Sequence, residues 1–151
     1  MTDRTTFNLD KFVIARAEHG EDLIRFIERV AEKRDIKAGT FTAIGALKKA
    51  TLGFYNQNSH EYQELKIDRP REMVSCIGNI SLKEGKPFVH AHVVLADDNG
   101  QTIGGHLVEG TVFASEIHLK ILEGPKLERK HDEKTDLSLW KYGGDDGTRG
   151  Q

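Results

Sequence analysis

The segment Pro87-Phe88-Val89-His90-Ala91-His92-Val93-Val94-Leu95 carries two histidines two residues apart in a run of β-favouring residues. Side chains alternate faces along a strand, so Val89, Ala91, Val93 and Leu95 make one apolar face. Phe88, His90, His92 and Val94 point the other way, with the two imidazoles separated by roughly 6.5–7 Å of rise. Asp97-Asp98-Asn99-Gly100 then supplies a turn, and Gln101-Thr102-Ile103-Gly104-Gly105-His106-Leu107 returns. Asn99 lies midway between His92 and His106. A hairpin centred there sets those two residues opposite each other, with Cβ atoms about 4.5–5.5 Å apart. Three imidazoles thus converge on one face of a β-hairpin. Neutral imidazole suits zinc, iron, nickel and copper, and three protein ligands leave a coordination position open. The expected centre is therefore zinc or another first-row divalent metal on His90, His92 and His106. His92, facing His106 across the hairpin and neighbouring His90 along the strand, is the ligand whose loss should hurt most.

Register decides whether the site forms. A bulge at Gly104-Gly105 would spoil it, and the same glycines could instead clear space for a ligand beside His106. The bland alternative is three histidines that hydrogen-bond on a polar sheet face. Glu116 and His118 share one parity on a later strand, opposite the apolar Phe113, Ile117, Leu119 and Ile121 parity. If that strand flanks the hairpin, Glu116 is a candidate acid/base or orienting residue for a metal ligand; otherwise it is a surface glutamate. His19, His60 and His131 sit in polar segments and are expected at the surface. Arg69-Pro70-Arg71 is read as a turn rather than a minor-groove hook.

The elements that must position these residues follow from periodicity. Phe12 to Arg16 reads as a strand broken by Gly20. Leu23, Ile27, Val30 and Ala31 then recur at helical spacing, and Glu21 and Asp22 place negative charge at the helix N-terminus. This predicts one amphipathic helix of about three turns, ending near Arg34. Period-two strands follow: Thr40 to Ile44, Ala50 to Tyr55, Tyr62 to Ile67, and Met73 to Leu82 with Val74, Cys76, Gly78, Ile80 and Leu82 on one face. Phe88 to Leu95 and Thr111 to Ile121 complete the set. A single helix followed by strands with frequent turn signals describes an α+β fold, mainly antiparallel sheet with the helix packed on one face. Leu137, Leu139 and Trp140 form a last apolar cluster expected to dock on the body. Gly143 to Gln151 lacks apolar side chains, so 142–151 is expected to be a disordered tail after one domain over 8–141.

Composition narrows the function classes. The chain has 151 residues, 37% hydrophobic and 30% charged, which suits one globular domain. Its apolar runs are too short to span a bilayer, and no basic segment followed by an apolar one opens it as a secretory signal. Cys76 is the sole cysteine, which excludes an intrachain disulfide and fits a reducing cytoplasm. With 22 basic against 24 acidic residues the formal net charge is −2, lacking the basic surplus of bulk nucleic-acid binders.

The motifs Gly20-Glu21-Asp22-Leu23, Ile44-Gly45-Ala46-Leu47 and Gly78-Asn79-Ile80-Ser81 accompany Pro87-Phe88-Val89-His90-Ala91-His92 and Gly104-Gly105-His106-Leu107. In this order and spacing, over about Phe12 to Trp140, the chain resembles the PPC (plants-and-prokaryotes-conserved) domain. The resemblance implies an α+β fold with a mainly antiparallel sheet, assembled as a homotrimer. Sheet faces that both carry apolar residues (Ile77 against Val74 and Cys76) fit a subunit contact. In plants the domain is fused to AT-hooks with Arg-Gly-Arg-Pro cores and acts in transcriptional regulation. Such a hook is absent here, so direct DNA binding is not expected. Three readings remain: a metal-binding protein whose site faces an open pocket for a small-molecule ligand, a DNA-binding or regulatory module acting directly or through partners, and a scaffold whose metal is structural.

Overall fold

The computed structural model describes residues 5–141. The tail expected at 142–151 lies outside the described residues. The chain runs β1 (Asn8–Ala15), α1 (Leu23–Lys33), β2 (Gly39–Asn56), β3 (Glu61–Ile67), β4 (Arg71–Lys83), β5 (Lys86–Ala96), β6 (Thr102–Glu123), β7 (Glu128–Asp132) and β8 (Leu137–Lys141). One sheet takes them all in the order β3-β2-β6-β5-β4-β7-β8, with β1 beside β6. All pairings are antiparallel except a short parallel one between β4 and β7. The α+β, sheet-dominated fold is as the periodicity predicts.

Helix α1 starts where Asp22 caps it. One carboxylate oxygen accepts from the Arg25 backbone N–H at 3.0 Å, and the other accepts from the Gly110 N–H at 2.8 Å, tying the cap to β6. Leu23, Ile24, Ile27 and Ala31 are its buried stripe, packed towards β5 and β6. They join Phe41, Met73, Ile80, Leu95, Val112, Ile117 and Leu119 in a single core. Each large side chain fully buried there contributes about 1.5–3 kcal/mol relative to exposure.

Four features depart from the periodicity. Thr40–Ile44 and Ala50–Tyr55 are one strand, β2, because Gly45 at φ 141° kinks it without ending it. The returning arm of the hairpin and the later Thr111–Ile121 strand are likewise one, β6. Val74 points outward, away from Cys76, Gly78, Ile80 and Leu82: it is the extra residue between the pairs Met73–Leu95 and Ser75–Val94, so Met73 takes the inward position. Finally, the sheet curls until β2 meets β4, closing a circuit β2-β6-β5-β4 rather than staying open. The apolar cluster Leu137, Leu139 and Trp140 does dock, as part of a β7–β8 hairpin laid beside β4.

Candidate metal centre

Strand β5 sends Val89, Ala91, Val93 and Leu95 into the core and leaves His90 half-buried and His92 exposed on the other side. The ladder to β6 runs without a shift from Ala96–Thr102 to His92–His106, so those two histidines are direct cross-strand partners. No bulge forms at Gly104-Gly105. These glycines serve close approach instead: a Cβ on Gly104 would lie 2.8 Å from the Val93 carbonyl oxygen, and one on Gly105 would lie 3.0 Å from that of Gly53. The bulge falls later, at Val108.

The three rings cluster tightly. Centroids are 5.0 Å apart for His90–His92, 5.2 Å for His90–His106 and 5.8 Å for His92–His106. One nitrogen from each ring lies within 4.8 Å of the other two. His90 Nε2 and His92 Nε2 are 3.2 Å apart. Two nitrogens held at about 2.0–2.1 Å by one tetrahedral zinc would stand about 3.3 Å apart, so this pair is already at ligand spacing. His106 Nδ1 is buried and has no hydrogen-bond partner among the described residues. A polar atom left so costs on the order of 1–3 kcal/mol.

Electrostatics keep lone pairs available. Burial, then the nearby His106, Arg129 and His92, lower the pKa of His90 from 6.5 to about 4. His106 is lowered too, by burial first and then by His92. Both are therefore neutral at physiological pH, the state in which imidazole binds metal.

His90 and His106 line a cavity of about 340 Å³ whose other walls include Tyr62, Phe88, Lys83 and Arg129. Tyr62 reaches the site from β3, its ring centroid 5.3 Å from that of His106. Gly53 permits this approach, since a Cβ there would sit 3.1 Å from the Tyr62 ring. Glu116 is not brought to the site. It is exposed opposite Ile44 on β2, ten positions beyond His106 on the same strand, on the order of 30 Å of extended chain away. The expectation failed because the strand carrying Glu116 continues the hairpin arm instead of flanking it. His118 stacks on Phe12 at 6.0 Å, far from the cluster in register. His19, His60 and His131 are exposed, as their polar surroundings imply.

The Plants and Prokaryotes Conserved (PCC) domain model matches residues 4–123. The chain belongs to that family. Among solved structures, the PCC chain is similar to a metal-containing protein of Archaeoglobus fulgidus, with a TM-score of 0.89 and 40% identity over 93% of this chain and 99% of that one. A plant- and prokaryote-conserved protein of Pyrococcus horikoshii gives a TM-score of 0.87 and 40% identity, covering 93% and 96%. A protein from Ralstonia eutropha put forward as DNA-binding gives 0.77 and 29%, covering 85% and 89%. The PCC chain is also 30% identical over 108 residues to the bifunctional protein GlmU of a Synechococcus strain, where it spans 16% of that protein's length.

Sequence reasoning missed Tyr62, Lys83 and Arg129 at the site. Arg129 comes from a mixed-charge stretch with no local signal, and only the parallel pairing of Lys83 with Arg129 places it. Phe88 was legible, since its parity puts it on the histidine face.

Proposed function

We propose that this PCC protein binds zinc or another first-row divalent ion through His90, His92 and His106, with the free coordination position serving a small-molecule ligand. The observation that carries the reading is one nitrogen from each of the three rings within 4.8 Å of the others, with the His90–His92 pair at ligand spacing. A bound ion there would act as a Lewis acid or lower the pKa of its own water. The chain's contribution is to hold three imidazoles together on a hairpin whose strands approach closely at Gly104 and Gly105. The metal-containing relative from Archaeoglobus supports this reading. Among the described residues no helix is long and apolar enough to cross a membrane. A cytoplasmic location and a single domain over 8–141 remain part of the proposal.

The protein is further proposed to act as a homotrimer. Phe12, Ile14, Ile44, Ile77 and Phe113 are exposed large apolar side chains, Ile77 at 62% and Ile14 at 65%. Single exposed apolar residues need no explanation, but this many on a sheet suit a subunit contact. The alternative function, DNA binding directly or through partners, draws support from the Ralstonia relative and is opposed by the net charge of −2.

Elemental analysis of protein purified without chelator tests the metal reading. About one first-row ion per chain is expected for the wild type and little for His92→Ala. Equal content in both overturns the assignment. The chelated wild type should stay folded, because the core does not depend on the site; unfolding on chelation would make the metal structural.

A further inference from the structure

The cavity beside the histidines is lined by two cations, Lys83 and Arg129. Lys83 Nζ stands 5.2 Å from the centroid of the Phe88 ring, and the Arg129 guanidinium carbon stands 5.3 Å from the same centroid. The two residues are direct partners in the β4–β7 ladder. Among the described residues neither lies within ion-pair distance of a carboxylate. Asp136 also lines the cavity, but its carboxylate is turned to His131 at 3.6 Å.

Arg129 is held by neutral groups alone. Its Nε donates to Ser81 Oγ at 2.9 Å, one terminal nitrogen donates to the Ser138 carbonyl oxygen at 3.0 Å, and the other to Asn79 Oδ1 at 3.0 Å. A guanidinium has five N–H groups, so these three bonds leave two for a ligand. The ring of Trp140, 5.4 Å from the guanidinium carbon, adds to the aromatic clamp with Phe88. Asn79 is in turn the cross-strand partner of His90. The Gly78-Asn79-Ile80-Ser81 motif thus fastens a half-buried, fork-shaped cation next to a proposed metal ligand. Forks of this kind recognise carboxylates with two parallel hydrogen bonds.

We propose that the cavity takes a small organic carboxylate, its acid group on Arg129 and Lys83 and its other end at the ion on His90, His92 and His106. This rests on the metal reading above for its second contact only. Phe88, Leu137 and Leu139 supply the apolar wall that favours a carbon skeleton over a bare inorganic anion. The volume of about 340 Å³ corresponds to roughly eleven waters at ~30 Å³ each, which fits a ligand of that size class.

The test uses the full chain with cobalt(II), whose visible bands respond to a new ligand, and malonate, malonamide and inorganic phosphate as probes. Cobalt content is measured first in the wild type, Arg129→Gln and Lys83→Gln, and should be equal in the three. Malonate should then shift the bands of the wild type, with affinity about tenfold weaker in Arg129→Gln and about threefold weaker in Lys83→Gln. Malonamide should bind at least about tenfold more weakly than malonate. Because Arg129→Gln also loosens the β7–β8 hairpin, Lys83→Gln is the decisive variant. Calorimetry of malonate with the metal-free chain separates the two readings. A chain that takes up no cobalt but binds malonate through Arg129 and Lys83 sinks the metal reading and upholds the anion site. Malonate binding by neither readout, unchanged affinity in Lys83→Gln, or tighter binding of phosphate than malonate overturns the carboxylate proposal.

Discussion

His90 and His106 are not direct partners in the ladder, yet their rings lie closer, at 5.2 Å, than those of the paired His92 and His106 at 5.8 Å. The half-buried diagonal pair forms the floor of the site, and exposed His92 closes it from outside. No single ring is the hub, which corrects the expectation that His92 is the ligand whose loss should hurt most.

Each of the three alanine substitutions should therefore abolish stoichiometric metal, and they should differ in what they do to the metal-free fold. His92→Ala should leave the chelated melting temperature nearly unchanged, because surface changes are usually within about 0.5 kcal/mol. His106→Ala should lower it, since that ring packs against Tyr62 and is half-buried. Metal content and thermal melts of the three variants check this; an unaltered metal content in any one removes that residue from the ligand set.

The pH dependence of the metal-free protein has a definite sign. His90 is held at about 4, below the usual 6.5, so as pH falls the unfolded chain takes up its proton first. The contribution of neutral His90 is complete above about pH 6.5 and is lost progressively down to about pH 4. His106 acts in the same direction. Between pH 7 and 4.5 the chelated wild type should lose more melting temperature than His90→Gln, by on the order of a few degrees. Parallel curves for the two proteins would contradict the assignment.

Gly78→Ala should destabilise the fold by about 1–3 kcal/mol, the usual cost of overpacking. A Cβ at this position would sit 2.5 Å from the His90 carbonyl oxygen and would run into the ring of buried Phe41. Metal affinity should fall as well, because the strand carrying His90 must shift. Urea denaturation with metal titration measures both, and a stability unchanged from wild type would show that the neighbours yield freely.

Light scattering at micromolar concentration should return about 51 kDa, three times the 17.0 kDa chain. Replacing Ile77 by Asp should lower that mass towards the single chain, by placing a charge in the proposed contact. A wild-type mass of one chain overturns the trimer.

Duplex DNA should not bind appreciably at physiological salt. Non-specific affinity comes from neutralising phosphates, and a chain with net charge −2 offers little for that. Sub-micromolar binding with a steep salt slope in an anisotropy titration would favour the DNA reading instead.

Much of the site was legible because it is local. Alternation on Phe88 to Leu95 and the position of Asn99 suffice to bring His90, His92 and His106 together, and the structure has them in that register. What surrounds them was not legible. Tyr62, Lys83 and Arg129 arrive through pairings between β3 and β2 and between β7 and β4, which leave no periodic trace in the sequence. The same limit explains the two long strands. Gly45 looks like a terminator in one dimension, and only the neighbouring strand at Ala114 and Ser115 shows it to be a kink within one ladder.

Strand β1 pairs with the far end of β6, joining Asn8 to Glu123 over a sequence separation of 115. A chain emerging from the ribosome N-terminus first must leave Leu9, Phe12 and Ile14 without their sheet neighbours until nearly the whole domain has been made. The histidine hairpin, by contrast, closes over fourteen positions from His92 to His106 and can form early. Assembly is therefore ordered in time: local hairpins such as this one come before the clasp between β1 and the end of β6. Such non-local pairing places refolding in the millisecond-to-second regime rather than the microseconds of helical bundles.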